Sequence, residues 1–217
     1  MEQKQYFNRS AQELFKEFHV TEQGLGEAQV EQIRAEKGEN ILEEEKKKSI
    51  LAVFLDQFKD LLVLILIVAA VVSVFSGNAE SSVVILVVLV MNAVLGTVQY
   101  VKAQRSLESL KQLSSPSAKV VRNGSIREVP SREVVPGDIL MLEAGDMVVA
   151  DGRILHNYSL QVNESSLTGE SLNVDKSDEV LQGTPALADR INMVYSGSLV
   201  AYGRAQVLVT ATGMNTE

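Results

Sequence analysis

The sequence predicts an α+β membrane protein of 217 residues. It has a helical segment over 1–49, a two-helix transmembrane hairpin prolonged as a cytoplasmic stalk, and an all-β domain over 116–217 of the sandwich or distorted jelly-roll kind. Three observations predict this. The apolar residues of a chain that is 22% charged concentrate between Ile50 and Val101. Basic residues flank that stretch but are missing from its middle. Beyond Ser117 the apolar periodicity falls to two, with turn residues at regular intervals.

The first 49 residues read as short cytoplasmic helices, too charged for a signal peptide. Ser10 and Glu13 have the spacing of a capping box, and Leu14, Phe15 and Phe18 form a small apolar face. A second helix follows Gly26 through Val30, Ile33 and Arg34 and is closed by Gly38. Glu43-Glu44-Glu45, beside Lys46-Lys47-Lys48, reads as a solvated linker.

Between Leu61 and Phe75 the only polar residue is Ser73, and between Val83 and Leu95 it is Asn92. A spanning helix needs about 20 mostly apolar residues. The first core therefore extends back through Phe58 to Ile50, giving a span over 50–75; the second runs on through Val98, Tyr100 and Val101. A buried hairpin in a soluble protein is the competing reading, but a chain of this length has little protein to bury it in. The turn over 76–82 carries no Lys or Arg, whereas Lys46–Lys48 precede the first span and Lys102, Arg105 and Lys111 follow the second. The positive-inside rule then puts both termini in the cytoplasm and the turn outside. Ala103, Leu107, Leu110 and Leu113 continue a helical spacing to a stop at Ser114-Ser115-Pro116. From Ser82 that helix is about 48 Å long against about 30 Å of hydrocarbon, so the surplus within 83–115 is the stalk.

In the β region, Asn123-Gly124 between Lys119–Arg122 and Ser125–Val129 is a type I′ hairpin signal. Further strands are expected over Ile139–Glu143, Arg153–His156, Leu160–Val162, Met193–Val200 and Arg204–Ala211. Turns are expected at Pro136-Gly137-Asp138, Gly145-Asp146, Asp151-Gly152 and Ala201-Tyr202-Gly203.

Composition removes several function classes. A net charge of −8, with no basic stretch interleaved with aromatics, argues against nucleic-acid binding. With no cysteine there is no disulfide, thiolate metal site or thiol nucleophile. His19 and His156 alone leave little for a zinc site or a Ser-His-Asp triad. No metal-ligating or cofactor-binding set is identified in the chain.

One loop carries chemistry: Val162-Asn163-Glu164-Ser165-Ser166-Leu167-Thr168-Gly169-Glu170-Ser171. Gly169 permits a turn that a β-carbon disfavours and presents Glu170 at a tip able to enter a site on another domain. An ordinary exposed turn is the competing reading of Thr-Gly-Glu-Ser seen alone.

It is not alone. The chain resembles the P-type ATPases, and among them the type II cation pumps that include calcium-transporting ATPases. Gly24-Leu25, Arg34 and Gly38-Glu39-Asn40 resemble the family's N-terminal region; Gln57–Leu62 and Asn92–Gly96 resemble its first two membrane helices. Val135–Ile139, Gly145-Asp146, Ala150–Arg153, Thr168–Ser171 and Thr212–Glu217 are similar to the actuator domain. Val149, Asn163 and Asn173 depart from common family residues and bear on the subfamily only.

The resemblance implies that Glu170, with Thr168 and Gly169 and beside Ser171, dephosphorylates an aspartyl phosphate, Glu170 acting on the attacking water. Glu164 is assigned only to the loop's flank. The family's Asp-Lys-Thr-Gly-Thr motif does not occur, and Asp175-Lys176-Ser177-Asp178 is read as structural. The resemblance thus implies the front of a pump whose phosphorylation and nucleotide domains, remaining helices, ATP and Mg²⁺ lie elsewhere. It implies a protein integral to the cell membrane, with the lipid bilayer as partner and calcium as the transported cation. A different reading, a non-catalytic membrane-anchored module that binds or modulates a complete pump, stays open on the sequence.

Overall fold

The structure, a computed structural model, describes residues 5–42, 48–113 and 116–217, with the backbone alone at 79, 108 and 110–113. The linker expected around 43–47 and the helix stop expected at 114–115 lie outside the described residues. The chain divides into two compact units: Met1–Glu43 with Ser115–Glu217, and Glu44–Ser114.

In the first unit seven antiparallel strands form one hydrogen-bonded sheet, in place of the two separate sheets of a sandwich. They are β1 (Ser117–Arg122), β2 (Ser125–Pro130), β3 (Ile139–Glu143), β4 (Asp151–Asn163), β5 (Asn173–Asp175), β6 (Met193–Val194) and β7 (Leu199–Ala211). Their order is β2-β1-β3-β7-β4-β5, with β6 on β4. The Asn123-Gly124 hairpin forms as read: both residues have positive φ, and Arg122 pairs with Ser125.

Strand alternation builds two cores. Leu140, Ile154, Val207 and Val209 point to one face, with Val120, Leu142, Leu160 and Val162. The intervening Ile139, Leu155 and Leu208 point to the other. There they meet Leu14 of α1 (Ala11–Glu17), Val20, Leu25 and Val30 of α2 (Glu27–Lys37). The N-terminal helices are thus the cover of a sheet buried on both faces. The capping box forms: the Ser10 N–H and hydroxyl donate to Glu13 at 2.8 Å, and Glu13 N–H returns to Ser10 Oγ.

Three strand expectations are corrected. Residues 157–159 fall between the strands expected over Arg153–His156 and Leu160–Val162, yet β4 runs through them, with register shifts between Ile154 and His156 and between Tyr158 and Gln161. At such bulges an extra residue bends a strand without ending it. Gly203 sits inside β7, not in a turn. Conversely, Met193–Val200 is not one strand, because Ser196-Gly197 turns between β6 and β7.

The second unit is helical. The single helix read over 50–75 is broken into α3 (Ile50–Asp56), a 3₁₀ turn (Gln57–Lys59) and α4 (Leu61–Phe75), with a bend of 70°. The cause is local. Asp60 leaves helical geometry at ψ 137° and caps α4, its carboxylate accepting the Leu62 N–H at 2.9 Å. After a turn at Ser76–Asn78, α5 (Ala79–Leu113) begins earlier than read. The Ser82 hydroxyl donates to the Ala70 carbonyl of α4 at 2.9 Å. Among the described residues one helix alone is long and apolar enough to cross a membrane, Glu80–Leu107; Ile50–Lys59 and Leu61–Phe75 qualify only if taken together.

Candidate functional site

The loop singled out in the sequence closes the β4–β5 hairpin. Asn163 pairs with Asn173 across the two strands, and its Nδ2 donates to Asn173 Oδ1 at 3.2 Å. Its Oδ1 accepts from Ser165 N–H and hydroxyl, which starts a single helical turn, α6 (Ser165–Thr168). The Glu164 carbonyl gathers that turn, accepting the Leu167 and Thr168 N–H groups at 2.9 Å each and the Thr168 hydroxyl at 3.1 Å. Gly169 then takes the left-handed conformation, φ 76° and ψ 0°, and its N–H closes on the Ser165 carbonyl. A β-carbon there would meet no atom within 4 Å, so glycine is required by torsion and not by space.

The chain leaves the turn with Glu170 N–H donating to Thr168 Oγ1 at 3.3 Å. Glu170 and Ser171 are exposed, as is Leu172. Among the described residues no hydrogen bond or ion pair engages the Glu170 carboxylate. Thr168, Gly169 and Glu170 therefore lie in one backbone-fixed turn whose carboxylate is exposed.

What lies beneath was missed. Glu164 is not a flank residue: it is 1% exposed, and its carboxylate meets the Lys176 ammonium at 2.5 Å, both side chains fully buried. Beyond each other, neither side chain has a hydrogen-bond partner among the described residues. Burial pushes the Glu164 carboxyl up and the Lys176 ammonium down, and the mutual attraction opposes both shifts. The Lys176 ammonium also lies 5.8 Å from the Tyr195 ring centre. Leu167 packs on a small cluster of Phe7, Met193 and Tyr195, which ties the turn to the N-terminal segment. A charged pair twelve positions apart with no shared periodicity leaves no local sequence signal.

Two further motifs prove to be architecture. Asp138 is fully buried and holds Arg122 bidentately, at 2.9 Å to Nε and 2.7 Å to Nη2, while accepting Val135 N–H. Asp151 accepts Ser196 and Glu217 N–H groups, and burial raises its pKa. Arg153 is buried, its guanidinium lowered to about 10 by desolvation, and donates to the carbonyls of Asp178 and Glu179. Asn40 joins the two ends of the unit, donating to Ser131 and Val149 carbonyls and accepting Gly213 N–H. Asp175 is exposed in β5 and accepts from Gln161 Nε2. Among the described residues no group of three or more acidic or histidine side chains is placed to hold a metal ion.

Comparison with known proteins turns this geometry into a family. Residues 112–217 match the P-type ATPase actuator domain, and residues 6–73 match the cation transporter/ATPase N-terminus. The chain belongs to the P-type cation ATPases. It is 46% identical over 213 residues to calcium-transporting ATPase 1 of Lactococcus lactis, covering 98% of this chain and 24% of that protein. To a calcium-transporting ATPase of Listeria monocytogenes it is 42% identical over 211 residues, 97% of the chain and 24% of the relative. A probable cation-transporting P-type ATPase of Mycoplasma pneumoniae is 39% identical over 211 residues, 89% and 24%. The chain thus spans about a quarter of the length of these relatives. Within this P-type ATPase chain, the actuator match contains the whole Thr168–Ser171 loop and its buried root.

Proposed function

We propose that this chain works as the N-terminal part of an ATP-driven cation pump, in which the Thr168-Gly169-Glu170 loop promotes hydrolysis of an aspartyl phosphate carried by another domain. The observation that carries the reading is the contrast within the loop: a turn fixed by its own backbone, ending in an exposed carboxylate that meets no partner among the described residues. Such a group can hold a water in line and take its proton as it attacks. The Thr168 hydroxyl and the neighbouring N–H groups, bonded within the turn, hold the backbone that presents Glu170. A single carboxylate does not make a magnesium or nucleotide site, so Mg²⁺ and ATP belong to the rest of the enzyme and no step here runs through them. Calcium as the cargo is supported by the names of the relatives from Lactococcus and Listeria.

Glu170→Gln in the complete pump tests this. A neutral amide can still orient water but is a far poorer base. Phosphoenzyme should form normally and then decay about 10²–10⁴-fold more slowly. Unchanged decay would sink the role.

The reading extends to the membrane. The bent segment over 50–75 and α5 serve as two spans, with Ser76–Asn78 outside and both termini in the cytoplasm of the cell. Support comes from the apolar surfaces of α4 and α5, and from a turn without basic residues between flanks that carry them. Single cysteines at Asn78 and Ser125, in a chain that has none, should react with an impermeant reagent in intact cells at Asn78 only. Labelling at Ser125 alone would invert the topology.

A further inference from the structure

Glu164 and Lys176 form an ion pair sealed from solvent directly under the loop. Its cost is evident: two charges are desolvated, and among the described residues neither has a second polar partner. A neutral pair of similar volume would fill the space at lower cost, so stability alone does not account for it.

The surroundings show what the pair holds. The Glu164 main chain is the point from which the turn hangs, its carbonyl taking three donors from Leu167 and Thr168. Its side chain points the other way, into the unit, to Lys176. Lys176 is itself fixed on both sides: its N–H donates to the Leu160 carbonyl at 2.9 Å, and its carbonyl accepts Asn157 Nδ2 at 2.5 Å. The segment that follows it is clamped by Arg153 and Asn192 through the Asp178 and Glu179 carbonyls. One residue thus links a rigid interior to the root of a turn whose tip is free.

We propose that Glu164 and Lys176 are positioning residues for the dephosphorylation step: their buried ion pair sets the direction in which Thr168-Gly169-Glu170 leaves the sheet. This rests on the reading of Glu170 given above. Unlike a hydrophobic contact, which lets a root slide at little cost, a charge pair in a low-dielectric interior resists separation. A misplacement of about 1 Å at the reacting group is enough to cost up to about 100-fold in rate.

The test uses the double variant Glu164→Leu/Lys176→Met, which removes both charges together and leaves neither an unpaired ion nor an unpaired polar group. Two readouts are taken. In the 217-residue chain, cleavage by a Glu-specific protease at Glu170 reports how firmly the loop is held. In the complete pump, formation and decay of the phosphoenzyme are followed separately. The double variant should unfold at or above the temperature of the unaltered chain. It should be cut at Glu170 about 10-fold faster, and should dephosphorylate about 10- to 100-fold more slowly with formation unchanged. Lys176→Arg, which keeps the charge, should recover most of both properties.

Unaltered cleavage and decay in the double variant would overturn the proposal. So would formation and decay falling together with thermal stability, which is the signature of a merely structural pair. Glu170→Gln, run alongside, separates the two readings. If it decays normally, the assigned role of Glu170 fails, while the protease measurement still decides whether the pair fixes the loop.

Discussion

Two carboxylates in glycine-containing turns, Asp138 and Glu170, have opposite surroundings. Asp138 follows Gly137, is fully buried, and spends both oxygens on Arg122 and the Val135 N–H. Glu170 follows Gly169, is exposed, and among the described residues its carboxylate meets no partner. Both belong to sequence motifs of the same family, so the motif does not say which of them does chemistry. The surroundings tell the two apart. A carboxylate whose lone pairs are taken by the fold has none left for a substrate, whereas one held on a fixed turn with its lone pairs free is available to a water.

This division of labour can be broken from either side. The largest stability effect should come from Asp138→Asn, which leaves the Arg122 guanidinium buried without its counter-charge. The loss should be about 3–5 kcal/mol, with an unfolding midpoint lower by roughly 10 °C. Next comes Gly152→Ala in β4, where a β-carbon would lie 2.3 Å from Val207 Cγ1 and 2.8 Å from the Leu208 carbonyl oxygen. Strands that close must separate to admit it, at a cost of about 1–3 kcal/mol read in the same melt. The smallest effect on unfolding belongs to Gly169→Ala. The space is open, and only the left-handed torsion is penalised, by about 1–2 kcal/mol locally. Because the turn can relax without opening the sheet, the midpoint should barely move, while phosphoenzyme decay slows about 10-fold as Glu170 swings out of line.

Local signals in the sequence foretold the parts of the molecule that local forces decide. Asn123-Gly124 gave its hairpin because both residues tolerate positive φ. Ser10 and Glu13 gave their capping box, and Gly169 its left-handed turn. Where packing overrides local chemistry, the reading failed. The stretch over 157–159 reads as a gap between two strands, yet β7 holds it in the sheet through bulges. The break at Asp60 is set by one side-chain cap on the Leu62 N–H, and the expectation of one span over 50–75 did not include it. The apolar face of Leu14, Phe15 and Phe18 said that α1 must pack on something without saying that it covers Ile139, Leu155 and Leu208. In the candidate site, the tip was legible as a motif. Its root was not, because Glu164 and Lys176 meet only after the β4–β5 hairpin has formed.

The most direct measurement sets Glu170→Gln beside Asp138→Asn, recording thermal unfolding of the chain and phosphoenzyme decay of the pump for each. The account predicts a crossed result. Asp138→Asn should lower the unfolding midpoint by roughly 10 °C. Glu170→Gln should leave the midpoint in place and slow decay by about 10²–10⁴-fold. A Glu170→Gln variant that loses stability as Asp138→Asn does, or that dephosphorylates at the unaltered rate, would contradict it.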